Sequence, residues 1–325
     1  MAKLNMVEAI NLALREEMEK DKRVVVLGED VGREGGVFRV TDGLQQKFGP
    51  ERVIDTPLAE SGIVGAAFGM AVNGLRPVAE IQFEGFLYPC LDQITNHIGR
   101  IRNRSRGRFT APLVIRSPYG GGIHAPEHHS DSPEAIFAHT PGIKVVIPAT
   151  PYEAKGLLLS SIRDPNPVIF LEPKRIYRAI REEVPEGDYP IPLGKARVVQ
   201  EGRDITIVAW GAMLREVLNA AEQLKGDKIE PEIIDLRTIS PIDAETIVAS
   251  VRKTGRAVIV HEAPKTCGLG AEIIALINEK SLLSLQAPIE RVTGFDIPVP
   301  LSKAEHYHLP NPKRIIMAVK KVMSF

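Results

Sequence analysis

Three groups of residues in this 325-residue chain could do chemistry. The first is Glu60, in Asp55-Thr-Pro-Leu-Ala-Glu60-Ser-Gly62, just ahead of a small, apolar stretch. A buried carboxyl with a raised pKa is suited to relaying a proton. A carboxylate is equally at home at a helix start, where the peptide dipole favours negative charge. The second group is Gly120-Gly-Gly-Ile-His124-Ala-Pro-Glu127-His128-His129-Ser130. Glycines allow unusual backbone angles and close approach of a ligand. Histidine titrates near neutral pH and can donate a proton or hold an anion. Three histidines and a glutamate also raise a metal site, but the HExxH spacing of a zinc helix is absent and the segment reads as loop. A surface loop of idle histidines is the plainer alternative. The third group is Arg100-Ile-Arg102-Asn-Arg104-Ser-Arg106-Gly-Arg108. No aromatic residues interleave these arginines, so contact with a partner subunit or a solvated edge fits them better than nucleic acid.

The elements that must position these groups alternate between strand and helix. Residues 5–20 place Met6, Ala9, Ile10, Leu12, Ala13 and Met18 mostly on one helical face. Val24–Leu27 reads as a buried parallel strand with the polar end Gly28-Glu29-Asp30. Residues 61–74 are apolar all round and read as a fully buried helix. Strands follow at 76–82, 113–116, 144–147 and 168–171, with helices over 86–103 and 151–163 and a loop over 117–133. A second series has strands at 205–211, 231–236 and 257–261 and helices at 213–225, 243–252 and 270–280. Between the series lies a run rich in proline and acid, 182–194. The expected fold is α/β with two domains, each a mostly parallel twisted sheet with helices on both faces. Domain boundaries are expected at 1–185 and 201–325, with a linker over 186–200. Ligands in such sheets sit at the carboxyl ends of the strands.

Composition narrows the classes further. Lys+Arg and Asp+Glu are both 41, so no net field draws the chain to nucleic acid or an anionic membrane. No apolar run approaches the roughly 18 residues of a membrane span. The N-terminal stretch lacks the basic and apolar regions of a secretory signal. Cys90 and Cys267 belong to no CxxC pair or Cys/His cluster, which speaks against zinc. Two free, buried thiols fit a cytoplasmic protein.

Many ordered segments carry a family resemblance. They include Val26-Leu-Gly-Glu-Asp-Val31, Gly35-Gly-Val-Phe38, Asp55-Thr-Pro-Leu58, Arg76-Pro-Val-Ala-Glu-Ile-Gln-Phe83, Asp92-Gln93, His129-Ser130 and Ser132-Pro-Glu-Ala135. Further on come Lys144-Val-Val-Ile-Pro148, Glu172-Pro-Lys174, Asp235-Leu-Arg-Thr238, Lys253-Thr-Gly-Arg256, Glu262-Ala-Pro264 and Val292-Thr-Gly-Phe-Asp296. In these, nearly end to end, the chain resembles the β subunit of the decarboxylating component of 2-oxo acid dehydrogenase complexes. The resemblance implies a transketolase-like pyrimidine domain, a transketolase C-terminal-like domain and thiamine diphosphate as cofactor. It assigns Glu60 to the aminopyrimidine ring, Phe86 to packing on that ring, and Glu29 and Leu58 to its surroundings. It assigns His129 to substrate placement and acyl transfer to a lipoyl group, with His128 the rival if the register differs. It implies a potassium ion held by carbonyls of Leu113, Ser161, Asp164 and Asn166, although Val114 stands where a relative has Thr. Asp131 stands where relatives often have Gln.

The diphosphate end is another matter. Thiamine enzymes hold it through Mg²⁺ on a Gly-Asp-Gly segment, and none occurs here; Asp42-Gly43 follows Thr41, and Gly226-Asp227 precedes Lys228. By resemblance the Mg²⁺ comes with an α subunit in an α2β2 heterotetramer, which docks on a lipoyl acyltransferase core. Asp92-Gln93 and Glu172-Pro-Lys174 look more like branched-chain enzymes, so 3-methyl-2-oxobutanoate is the expected 2-oxo acid, with pyruvate or acetoin dehydrogenase as alternatives. Transketolase and deoxyxylulose-phosphate synthase share the fold, mostly on one longer chain. A non-catalytic scaffold subunit is the reading from a different class.

Overall fold

The computed structural model describes residues 2–325. Its first half contains β1 (Ala2–Leu4), α1 (Met6–Lys20), β2 (Val24–Gly28), α2 (Leu44–Phe48), β3 (Val53–Asp55), α3 (Glu60–Val72), β4 (Arg76–Glu80), α4 (Ile101–Arg104) and β5 (Val114–Tyr119). It continues with α5 (Glu134–Ala138), β6 (Lys144–Val146), α6 (Pro151–Arg163), β7 (Val168–Pro173) and β8 (Glu182–Val184). The second half contains β9 (Arg197–Gln200), β10 (Ile205–Ala209), α7 (Ala212–Leu224), β11 (Pro231–Asp235), β12 (Thr238–Ser240) and α8 (Ala244–Thr254). It closes with β13 (Ala257–Val260), α9 (Leu269–Ser281), β14 (Glu290–Val292), α10 (Glu305–His308) and α11 (Pro312–Met323).

Local signals account for the principal helices. Asn5 and Glu8 form a reciprocal capping box that starts α1, with Glu8 N donating to Asn5 Oδ1 at 3.0 Å. Thr150 caps α6 and Pro151 occupies its first turn, where the missing N–H costs nothing. Leu157, Leu158 and Leu159 of α6 are fully buried, each contributing about 1.5–3 kcal/mol.

The first sheet has the order β12-β6-β7-β5-β4-β2-β3, parallel except for β12. The second has the order β14-β13-β10-β11-β9, parallel except for β9. Alternation along each strand feeds a core on each face. Val24 and Val26 pack with α1 and α6, whereas Leu27 packs with α3. Both cores run on into the second half, so the two sheets share continuous apolar interiors.

Four expectations change. The helix expected over 86–103 is broken into a 3₁₀ segment (Glu84–Cys90), a π segment (Asp92–Ile98) and α4. Pro89 lacks an N–H, and Gly99 is pressed to a position where a Cβ would lie 2.9 Å from the Pro141 carbonyl. Helix α3 is not buried all round: Ile63, Val64, Ala67 and Ala71 face the core, while Gly62, Ala66 and Gly69 are exposed because no segment of this chain covers them. Cys90 is buried but Cys267 is exposed, in the turn before α9. The last four residues of the expected linker form β9, an edge strand against β11.

In the second half His261 stacks on Trp210 with ring centroids 5.3 Å apart. A Cβ at Gly268 or Gly270 would come within 2.8 or 2.7 Å of its ring. Burial first, then the nearby Arg291, lowers this imidazole to about 4. The unfolded chain therefore binds a proton that the folded chain refuses, and stability falls as pH drops from about 6.5 to about 4, by up to about 3 kcal/mol. Denaturant titrations at pH 7 and pH 4.5 should show His261→Gln losing less stability on acidification than the parent; equal losses would refute this.

Candidate active site

Most of the sequence-derived site residues gather where the strands of the first sheet end. Strand β2 stops at Gly28, where a Cβ would lie 2.7 Å from the Glu80 carbonyl, so β2 and β4 approach closely. The next residue, Glu29, is buried, and its Oε1 has no hydrogen-bond partner. Burial raises its carboxyl above the usual range, and repulsion from Glu60 adds to this. Glu60 is the first residue of α3 and is half-buried. The carboxyl raised by burial is thus Glu29, directly after β2.

Ser61 Oγ donates to the Pro89 carbonyl at 2.6 Å. That bond ties the start of α3 to the 3₁₀ segment carrying Phe86, which is half-buried. Leu58, on the loop into α3, is 79% exposed. Thr56 Oγ1, beside Gly28, is a second buried polar atom without a partner.

His129 closes the other side. Its ring lies 4.2 Å from Phe83, 5.3 Å from Phe86 and 4.2 Å from His128, measured between centroids. Its Nδ1 is buried and unpartnered. Burial, then repulsion from His128, lowers its pKa, so the ring is neutral at pH 7. His128 is exposed. His124 sits away from this cluster, with Nδ1 2.9 Å from Glu305.

The polar residues beneath the rings carry little sequence signal. Lys174 Nζ pairs with Glu84 Oε1 at 2.8 Å, both buried. Burial pushes Glu84 up to about 8 and Lys174 down, toward a pair that can share its proton. Tyr88 donates to Asp131 at 3.3 Å. Deeper still, Arg116 on β5 makes a two-pronged contact with Glu172 at 2.7 and 2.8 Å and a third bond to Glu80. The available signal was a charge within each otherwise apolar strand run.

The carbonyls proposed for potassium lie elsewhere, around the α6–β7 turn and the residue preceding β5. The Leu113 carbonyl accepts from Val168 N at 3.0 Å, and the Asp164 carbonyl accepts from Arg76 at 3.3 Å. The five arginines of 100–108 are all exposed. Among the described residues no group of three His, Cys, Asp or Glu side chains is arranged to hold a metal ion. The aminopyrimidine ring suits the cleft on its own chemistry: two adjoining carboxylates, orphaned polar atoms and an aromatic wall.

Comparison with known proteins agrees with this architecture. Residues 2–179 match the family model described as transketolase, pyrimidine binding domain, and residues 194–315 match the transketolase C-terminal domain. A solved split-gene transketolase, an inactive beta4 tetramer, aligns with a TM-score of 0.81 at 24% identity over 99% of both chains. A transketolase mutant from Pichia stipitis aligns at 0.71 with 15% identity, covering 100% of this chain and 46% of that one. The molecule is therefore a two-domain α/β protein of transketolase-like fold. The pyruvate dehydrogenase E1 component subunit beta of Acholeplasma laidlawii is 58% identical over 99% of this chain and 98% of its own. That of Bacillus subtilis is 54% identical over the full length of both. The chain belongs to this family, the β subunits of thiamine-diphosphate-dependent 2-oxo acid dehydrogenases.

Removing the buried guanidinium tests what supports the site. Arg116→Met leaves Glu80 and Glu172 buried without their cation, and the expected loss is about 3–5 kcal/mol. Denaturation midpoints measure this, and a change below about 1 kcal/mol would refute the supporting role.

Proposed function

We propose that this chain is the β subunit of a pyruvate dehydrogenase, supplying the aminopyrimidine end of a thiamine diphosphate site that an α subunit completes. The observation that carries the reading is the Glu29–Glu60 pair, with an orphaned Glu29 oxygen, opening beside Phe86 and His129. When bound, the cofactor supplies the electron sink for decarboxylation of a 2-oxo acid.

The chain's own residues do the rest. Glu60, at the open end of α3, hydrogen-bonds a ring nitrogen and moves a proton there. Burial, then repulsion from Glu60, raises the Glu29 carboxyl, so the two side chains titrate in each other's presence. Phe86 provides a flat wall, and Leu58 lines the approach. Neutral His129 can take or give a proton as the acyl group passes to a lipoyl group. Mg²⁺ and the diphosphate fall to the α subunit. A potassium ion at the carbonyls of Leu113, Ser161, Asp164 and Asn166 would brace the α6–β7 turn.

An α2β2 assembly is supported by the uncovered strip Gly62, Ala66 and Gly69 and by the exposed arginines of 100–108. Docking of a lipoyl acyltransferase core on the second half completes the reading. The expected location is the cytoplasm; among the described residues no helix is long and apolar enough to cross a membrane. For the substrate, the relatives favour pyruvate over the branched-chain acid expected from Asp92-Gln93 and Glu172-Pro-Lys174. The β subunits named for pyruvate are more than half identical throughout, which outweighs a few short segments.

The direct test mixes the chain with a candidate α subunit, thiamine diphosphate and Mg²⁺ and follows dye reduction with pyruvate, 3-methyl-2-oxobutanoate or acetoin. Pyruvate should give the highest kcat/KM. Preference for a branched acid would reverse the substrate, and activity without the α subunit would end the half-site reading. Glu60→Gln should lower decarboxylation about 10²-fold or more while the heterotetramer still assembles; near-parental decarboxylation would remove the proton role. His129→Ala should slow acyl transfer to a lipoyl domain about 10²-fold with cofactor affinity little changed, as calorimetry would report. Loss of cofactor binding instead would make His129 a cofactor ligand.

A further inference from the structure

The glycine-rich loop turns its first arm, the buried Gly120 and Gly121, into the protein, while residues 123–128 largely face outward. It wraps two carboxylates from the other half of the chain. Gly121 N–H donates to Glu262 Oε2 at 3.0 Å. Gly122 N–H donates to Glu305 Oε1 at 2.6 Å, and His124 N–H donates to Glu305 Oε2 at 3.0 Å. Glu262 follows β13 and Glu305 opens α10, and both are at most 4% exposed. Backbone N–H groups converging on an anion form a charge-assisted nest, and here the protein supplies the anion.

The glycines are needed for this approach. A Cβ at Gly120 would lie 2.6 Å from Glu262, and one at Gly122 would lie 2.4 Å from the Arg175 side chain. Both glycines have left-handed φ, +82° and +98°. His124 adopts φ +61° without a glycine's freedom, a strain of about 1–2 kcal/mol that its bonds to Glu305 offset.

The clamped arm is continuous with the one bearing His129. Gly120 N donates to the Asp131 carbonyl at 2.8 Å, which draws the two ends of the loop together. Inside it, His129 N donates to the Pro126 carbonyl and Ser130 N to the Glu127 carbonyl, each at 2.9 Å. A Cβ at Gly85 would lie 2.1 Å from the His128 carbonyl, so the loop presses on the segment carrying Phe86. Little slack remains between the anchor and the ring.

We propose that Glu262 and Glu305 are positioning residues that set His129 for acyl transfer, which makes the second half part of the catalytic apparatus. This rests on the role given to His129 above. The test uses the assembled enzyme with its α subunit, thiamine diphosphate and Mg²⁺, and compares Glu305→Ala, Glu305→Gln, Glu262→Ala and His129→Ala. Two properties are measured: hydrogen exchange of a peptide spanning 120–131, and acyl transfer to a lipoyl domain alongside dye-coupled decarboxylation of pyruvate.

In Glu305→Ala, loop exchange should rise at least about tenfold and acyl transfer should fall about tenfold or more, since a 1 Å misplacement can cost 10²-fold. Decarboxylation should fall severalfold less than acyl transfer, because the Ser61–Pro89 bond ties the Glu60 end of α3 to the Phe86 segment without the loop. Glu305→Gln keeps one acceptor oxygen and should recover most of the loss. Glu262→Ala removes the acceptor for Gly121 N–H and should show the same pattern more weakly, so the proposal stays testable if Glu305→Ala does not assemble. Unchanged loop exchange overturns the proposal. So does intact acyl transfer in a variant with a loosened loop, or an equal fall in both reactions. If His129→Ala itself leaves acyl transfer intact, the role of His129 is what fails, and loop exchange still decides whether the carboxylates hold the loop.

Discussion

The structure depends on one buried cation. Arg116 lies in the middle of the first sheet with its guanidinium sealed against Glu80, its register partner on β4, and Glu172, two residues beyond its register partner Phe170 on β7. Buried charges are tolerated only when paired and hydrogen-bonded, so the three strands are held in register by electrostatics as well as by their ladder. The constraint passes outward. Tyr177 donates to Glu172 at 2.5 Å, its ring packs 5.2 Å from Phe38, and its carbonyl accepts from Met6 N at the start of α1. One guanidinium thereby links the middle of the sheet, the floor of the cleft and the N-terminal helix.

Above this layer the site is rich in acid. Glu29, Glu60, Glu84 and Asp131 approach the cleft, and Lys174 is the cation that the buried pair provides there. Burial raises the carboxyls of Glu29 and Asp131 above their usual range and Glu84 to about 8. Such a cleft favours a partner that donates hydrogen bonds and shares protons, which is what a nitrogen-rich ring offers. His129, by contrast, is kept neutral by burial and by the adjacent His128, so the two sides of the cleft have opposite proton habits.

Much of the fold was legible because it is written in local periodicity. The amphipathic pattern of 5–20 and the apolar runs of β2, β7, β10 and β13 all announce their elements. Segments made by distant contacts did not. Strands β9 and β12 are short and exist because a remote strand completes them. The broken helix over 86–103 has helical composition, but Pro89 and the tight approach of Gly99 to Pro141 decide its form. Of the proposed site, Glu29, Glu60, Phe86 and His129 come from motif and resemblance. Glu262 and Glu305 were not, since their partners lie 141 and 183 positions away and a carboxylate gives no sequence hint that it faces backbone N–H groups. Short segments such as Asp92-Gln93 point to a branched-chain acid, whereas the likeness to subunits named for pyruvate runs the whole length of the chain.

Strand β12 carries a consequence for how such a chain can be divided. It belongs by position to the second half, yet it pairs antiparallel with β6 and forms the outer strand of the first sheet. The chain is therefore not two beads joined by a string. A cut in the intervening segment would strip the first half of its border strand and bare the row of N–H and C=O groups on β6, a surface prone to pairing with foreign chains. Recombination, gene fission or transplantation of either half would have to carry that three-residue strand along, so the heritable unit is the entire chain rather than either lobe.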